Sequence, residues 1–121
     1  MSRLAGWGTS IWSAELVPFA VEQRYRAIVL LAAGIPRTEV TVAPEANAVN
    51  FVSRFGAPTL MLVGRHDESI SYEAEAEPLF KLLPTPKSLR LFDGGHIPPV
   101  SMWIPVLADW LDARMGPVKR P

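Results

Sequence analysis

The sequence predicts an α/β domain built on a small, mostly parallel β-sheet. Two continuous apolar runs of strand length, residues 26–33 and 58–63, are each followed by a glycine, which is typical of strands buried on both faces of a parallel sheet. Segments with helical character alternate with these strands, which is the α/β pattern. The length of 121 residues and the apolar content of 49% are those of a folded globular protein with one domain's worth of chain or less, so residues 1–121 are expected to form a single unit.

The first half of the chain is expected to supply two strands with a helix between them. Residues 4–8 form a short strand that enters a glycine-rich turn, and residues 10–23 form a helix that Pro18 kinks. The first apolar run then provides the next strand. Residues 35–56 show no clear periodicity and contain a β-branched patch, followed by a short helix near residues 50–55.

The second half continues with strand, helix, strand and helix. After the second apolar run, Ser71 is placed to cap a helix that extends to about Leu83, with acidic residues near its start. Residues 88–92 form another short strand. The last helix, over residues 100–115, carries large apolar side chains at spacings of three and four, and Gly116 ends it. The sheet is therefore expected to have three to four mostly parallel strands with flanking helices.

Charge and composition argue against several classes of function. Twelve basic and twelve acidic residues cancel, so nothing electrostatic favours nucleic acid or an anionic membrane as a partner. Cysteine is absent, which excludes disulfides and thiol catalysis and fits a cytoplasmic location. No apolar run approaches the roughly 20 residues of a membrane span. Two distant histidines give no credible metal site, and the glycine pattern does not continue as a phosphate loop, so no cofactor is expected.

Two loops that follow strands carry residues suited to acid–base chemistry. Asp67 follows the second apolar run, and His96 lies 29 positions later on a two-glycine turn. That distance is about one strand–helix–strand unit, so both residues are expected at the edge where open α/β sheets keep their active sites. An imidazole there suits a general base, and an aspartate suits the group that orients it. His66 is expected to be a solvated loop histidine.

Ser10 follows the first strand in the turn Gly8-Thr9-Ser10, where a nucleophile elbow belongs. Each of the three candidates also has a structural interpretation. Ser10 fits the N-cap of the following helix, Asp67 fits a turn residue, and His96 fits a hydrogen-bonded structural histidine. A catalytic role is favoured by the order of the three residues along the chain, which is serine, then aspartate, then histidine. Each of them stands at the end of a predicted parallel strand.

Motifs through the second half point to a known family. They are the stretch 50–67 with its Gly-Arg-His-Asp ending, residues 78–86, residues 92–99 with Phe-Asp-Gly-Gly-His, and residues 109–118. In these motifs the chain resembles the C-terminal half of an α/β-hydrolase fold protein of the dienelactone-hydrolase and prolyl-oligopeptidase-like kind, whose triad has the order serine, aspartate, histidine. The resemblance implies a serine hydrolase acting on an ester, thioester or amide of a small carbonyl substrate. Ser10 would attack, His96 would shuttle the proton, and Asp67 would orient His96.

The sequence departs from this family at the elbow and before it. Trp12 stands where a small residue is expected, or else Ile11 is an insertion and Ser13 takes that place. The strands that normally precede the elbow in this fold are not present in this sequence. The loop that gives one of the two oxyanion-hole amides is therefore missing as well, and the amide of Ile11 is the remaining donor. Losing one such donor costs about 10²- to 10³-fold in rate.

Two expectations follow from these departures. The alternative to an enzyme is a truncated or degenerate hydrolase module without turnover, acting as a binding or structural fragment. The open edge of the first strand is expected to pair, because unpaired strand edges invite association. Its partner would be an N-terminal hydrolase half or a second copy of the chain.

Overall fold

The predicted α/β class is confirmed by a computed structural model, which describes residues 4–10, 16–35, 43, 45, 47–84 and 86–119. Four parallel strands form one sheet in sequence order: β1 (Leu4–Thr9), β2 (Tyr25–Leu31), β3 (Thr59–Gly64) and β4 (Lys87–Phe92). Within these described ranges, three α-helices accompany them: α1 (Leu16–Val21), α2 (Glu77–Leu82) and α3 (Val100–Met115).

The two central strands are the predicted apolar runs. Every residue of β3 is buried, as is every residue of β2 after Arg26, because both faces of the sheet are covered there. The register pairs Thr9 with Leu31, Leu31 with Leu62, and Gly64 with Phe92. The carboxyl ends of the strands are therefore aligned, and the loops that follow β1, β3 and β4 leave the sheet at one edge.

Two layers of helix cover the sheet. On one face, α1, α2 and the 3₁₀ helix Ala48–Arg54 pack on alternate residues of the central strands, among them Ile28 and Met61. On the other face, α3 packs through Trp103 on the remaining residues, among them Leu62. The predicted site residues Ser10, Asp67 and His96 follow the carboxyl ends of β1, β3 and β4.

Two helical segments differ in type from the predicted helices. Ser71 caps its helix as predicted, with its Oγ accepting the Ala74 N–H at 3.2 Å. The first turn, Tyr72–Ala76, is a π-helix, and the Glu75 carboxylate accepts the Ser71 N–H at 2.7 Å. The helix predicted near residues 50–55 is a 3₁₀ helix.

The last helix begins and ends as predicted, and Gly116 follows it with a φ of 79°. The β-branched patch at residues 40–42 and the start of the helix predicted from residue 10 lie outside the described residues. Within the ranges that the structure describes, no helix has both the length and the apolar character needed to cross a membrane.

Candidate active site

Three loops bring the predicted site residues into one hydrogen-bonded chain. The Ser10 hydroxyl oxygen lies 2.7 Å from Nε2 of His96. On the other side of the ring, Nδ1 lies 2.8 Å from Oδ2 of Asp67. In the tautomer that satisfies both contacts, Ser10 donates to Nε2 and the Nδ1–H donates to the carboxylate. This is the arrangement that a nucleophile, a general base and an orienting acid require.

Ser10 is held in an uncommon backbone conformation. Its φ is 51°, and Ala32 is the other non-glycine residue with a positive φ among those described. The left-handed region costs an L-residue about 1–2 kcal/mol, and such strain concentrates at functional sites. The Ser10 N–H donates to the Leu31 carbonyl at 2.8 Å, which fixes the turn to β2. A sharp, strained turn at the end of a strand is the geometry of a nucleophile elbow.

The amide predicted to stabilise an oxyanion belongs to Ile11. Ile11, Trp12 and Ser13 lie outside the described residues. The role of Ile11 therefore stays a prediction, and so does the interpretation of Ser10 as the N-cap of the following helix.

Asp67 is both a turn residue and the partner of His96. Its side chain has no exposed surface, and its Oδ1 accepts the N–H groups of Ser69 at 2.7 Å and Ile70 at 2.9 Å. These two bonds fix the plane of the carboxylate and leave Oδ2 for the imidazole. The sequence allowed a turn role or an orienting role, and the geometry shows that one carboxylate can serve both.

Backbone contacts join the loop of Asp67 to the loop of His96. The Arg65 N–H donates to the Phe92 carbonyl at 2.7 Å, and the His66 N–H donates to the Gly94 carbonyl at 2.9 Å. These bonds continue the pairing of β3 and β4 beyond the sheet. The side chains of Asp67 and His96 are therefore positioned by main-chain bonds as well as by their own contact.

Gly64 makes the close approach of these loops possible. A Cβ at this position would lie 1.9 Å from the Gly95 carbonyl oxygen and 2.6 Å from that of Gly94. Both atoms belong to the backbone, so a side chain at residue 64 would displace the loop that carries His96. Gly95 is different, because a Cβ added there meets nothing within 4 Å.

One contact at this edge was missed by sequence reasoning. His66 is largely exposed, as predicted, but its Nε2 lies 2.7 Å from Oδ1 of Asp93, which is also exposed. The signal was available, because Asp93 follows His66 by 27 positions in the same way that His96 follows Asp67 by 29. Exposed pairs of this kind contribute about 0–1 kcal/mol, so the backbone bonds dominate the joining of the loops.

Two clefts of the described part of the chain lie along the last helix. Their volumes are about 360 and 520 Å³, and neither is lined by Ser10, Asp67 or His96. Across the described part of the chain, no three His, Cys, Asp or Glu side chains come together in a group that could hold a metal ion.

Comparison with known proteins identifies the fold of the chain. No protein-family model and no curated protein matches the chain. A puromycin-hydrolysing peptidase of Mycobacterium tuberculosis matches with a TM-score of 0.69 and 15% identity, over 98% of this chain and 23% of the peptidase. A cold-adapted esterase from an Arctic intertidal metagenomic library matches with a TM-score of 0.62 and 24% identity, over 91% of this chain and 49% of the esterase.

A third solved structure also matches most of this chain. An alpha/beta hydrolase from Penicillium sp. sh18 matches with a TM-score of 0.67 and 15% identity, over 92% of this chain and 63% of that protein. The chain thus has the α/β-hydrolase fold, as the resemblance implied, and it spans between 23% and 63% of the length of these three proteins.

Proposed function

We propose that the chain carries the catalytic residues of a serine hydrolase that cleaves an ester, thioester or amide bond of a small carbonyl substrate. The observation that carries the proposal is the continuous hydrogen-bonded chain from Ser10 through His96 to Asp67. The positive φ of Ser10 and the α/β-hydrolase fold support it, because this fold places its nucleophile on a strained turn after a strand.

The chemistry follows from the order of these contacts. Nε2 of His96 takes the proton of Ser10 as the serine oxygen attacks the carbonyl carbon, and the substrate oxygen becomes an oxyanion. His96 then gives that proton to the leaving group as its bond to carbon breaks, which leaves an acyl-enzyme. Water attacks the acyl-enzyme with His96 again acting as base, and the acid product leaves as Ser10 regains its proton. Asp67 stabilises the imidazolium in both halves of the cycle.

The oxyanion needs backbone donors. We propose that the amide of Ile11 supplies one and that an N-terminal hydrolase half supplies the second, because this fold takes its second amide from a loop before the elbow.

A fluorophosphonate probe tests this proposal on the chain as it stands. The probe reacts with an activated serine, so the folded protein should become labelled on the peptide that contains Ser10, while protein unfolded in urea should not. Mass spectrometry of the labelled protein identifies the site. Folded protein that stays unlabelled would instead favour the non-catalytic module, the alternative that Trp12 at the elbow supports.

The side of β1 that faces away from β2 suggests where a partner binds. In the described sheet β1 pairs only with β2, and because the Ser10 N–H points to β2, those of Trp7 and Thr9 point to the opposite side. The strand carries no charge and no proline, the devices that protect an edge. We propose that it pairs with a strand of an N-terminal hydrolase half, with a second copy of the chain as the alternative.

Light scattering separates these partners. If the preceding half is the partner, the chain alone should stay monomeric at micromolar concentration and bind that half when it is added. A concentration-dependent dimer that Trp7→Lys abolishes would identify the second copy instead. A monomer that binds neither would contradict pairing at this edge.

Replacing Gly64 by alanine should slow fluorophosphonate labelling about 10²-fold, because a misplacement of about 1 Å costs roughly that factor. The added Cβ would overlap the Gly95 carbonyl oxygen and displace the His96 loop. Gly95→Ala is the matched control and should label at close to the wild-type rate. Equal rates for the two variants would contradict the close approach.

A further inference from the structure

The loop that carries His96 is closed by contacts of Pro98. Trp103 of α3, 9% exposed, donates its indole N–H to the Pro98 carbonyl at 2.9 Å. Pro98 also lies against Gly94, where an added Cβ would come within 3.3 Å of the proline Cβ. The segment between these two residues is therefore short and constrained, and His96 stands at its middle.

The same indole contacts the strand that ends at the serine. The rings of Trp103 and Trp7 lie 5.6 Å apart between centroids, with 31° between their planes. Trp7 precedes Ser10 by three positions in β1 and its continuation. Trp103 thus contacts both sides of the Ser10–His96 hydrogen bond, the histidine loop through its N–H and the serine strand through its ring.

We propose that Trp103 is a positioning residue for the Ser10–His96 contact, an inference that rests on the proposed function. Its N–H fixes the exit of the histidine loop, and its ring fixes that loop relative to β1. The 2.7 Å contact between Ser10 and His96 tolerates little displacement, and a shift of about 1 Å costs on the order of 10²-fold in rate. The contacts through which Trp103 would act are its hydrogen bond to the Pro98 carbonyl and its ring contact with Trp7.

The chain contains a matched control in the same helix. Trp110 lies two turns further along α3, and its buried indole N–H has no hydrogen-bond partner among the residues described. It lines the cleft between β4 and α3, away from Ser10. Replacing either tryptophan by phenylalanine removes one indole N–H, but only at Trp103 does a carbonyl lose its donor. Trp7→Leu complements them by removing the ring contact and leaving the N–H of Trp103 in place.

The experiment compares Trp103→Phe, Trp110→Phe and Trp7→Leu with the wild-type protein, each below its unfolding temperature. It measures the fluorophosphonate labelling rate, kcat and KM for p-nitrophenyl acetate, and the NMR signal of the His96 Nδ1 proton. Trp103→Phe should lower the labelling rate and kcat about 10- to 100-fold, with KM within about twofold because ground-state binding is unaffected. The Nδ1 proton signal should broaden, and Trp110→Phe should match the wild type in every measurement.

Equal labelling rates for Trp103→Phe and Trp110→Phe would overturn the inference while leaving the proposed function intact. If Trp103→Phe does not fold, Trp7→Leu decides: a lowered labelling rate in that variant supports the inference, and a wild-type rate overturns it, because the inference requires the ring contact to hold the histidine loop relative to β1. Unlabelled wild-type protein would sink the proposed function. In that event the Nδ1 signal still tests the inference, because broadening in Trp103→Phe alone supports the placement of the loop and an unchanged signal refutes it.

Discussion

Replacing Ser10 by alanine is expected to lower kcat for a p-nitrophenyl ester by a factor on the order of 10⁶ relative to the wild-type protein. Removing the serine of a serine–histidine–aspartate unit has an effect of this size, because no acyl-enzyme can form and only oxyanion stabilisation and binding remain. The fold should be retained, since the described contact of the Ser10 side chain is the one with His96. Ester hydrolysis and thermal unfolding measured on the same sample separate the two effects.

The histidine provides the internal check on this prediction. His96→Ala should lower kcat to a similar level, and the Ser10→Ala, His96→Ala double variant should be no slower than either single variant, because the residues act as one unit. Ser88→Ala, on β4 and away from the site, should keep wild-type activity. Losses that multiply in the double variant would show that Ser10 and His96 act independently and would contradict the proposed mechanism.

Replacing Asp67 by asparagine is expected to lower kcat about 10⁴-fold, the loss seen when an orienting aspartate becomes an amide. The asparagine oxygen can still accept the N–H groups of Ser69 and Ile70, which now bond to Oδ1. Its NH₂ group then takes the place of Oδ2 and faces Nδ1 of His96. Nδ1 becomes an acceptor, the ring proton moves to Nε2, and the histidine can no longer take the proton of Ser10.

The matched control for this prediction is Asp93→Asn. That residue pairs with His66 in the same loops, but both side chains are exposed, and such pairs contribute about 0–1 kcal/mol. Asp93→Asn should therefore change kcat less than about fivefold. If Asp67→Asn lowers kcat as little as Asp93→Asn does, Asp67 only shapes its turn, because the asparagine keeps the bonds from Ser69 and Ile70, and the orienting role is contradicted.

Much of the fold could be predicted because its signals are local. The buried runs that became β2 and β3 are continuous and apolar, and α3 has a clear period of three and four, so its bounds at Val100 and Met115 were predicted. Local pattern predicted less at the start of the second helix, where the π-turn Tyr72–Ala76 is accompanied by a hydrogen bond from the Ser71 N–H to the Glu75 carboxylate. No periodicity records a contact of that kind.

The candidate site divides in the same way. Ser10, Asp67 and His96 were identified from their positions after strands and their order, which is information that a sequence carries. The contact of Trp103 with Pro98 was not, because the tryptophan served equally well as one of several apolar residues on the inner face of α3. The role of Gly64 depends on a carbonyl 31 positions away, and only the folded backbone reveals that proximity.

The contact between Ser10 and His96 depends on the pairing of the whole sheet, because the two residues follow different strands whose ends are aligned. Ser10 follows β1 and His96 follows β4, which are opposite edges of the sheet with two strands between them. Neighbouring strands lie about 4.8 Å apart, so serine and histidine meet only when all four strands have paired in register. If Ser10 is activated as proposed, a reagent that reacts with it would consequently report completion of folding in a single chemical event. Partly folded molecules with native helices and an incomplete sheet would not react with this reagent.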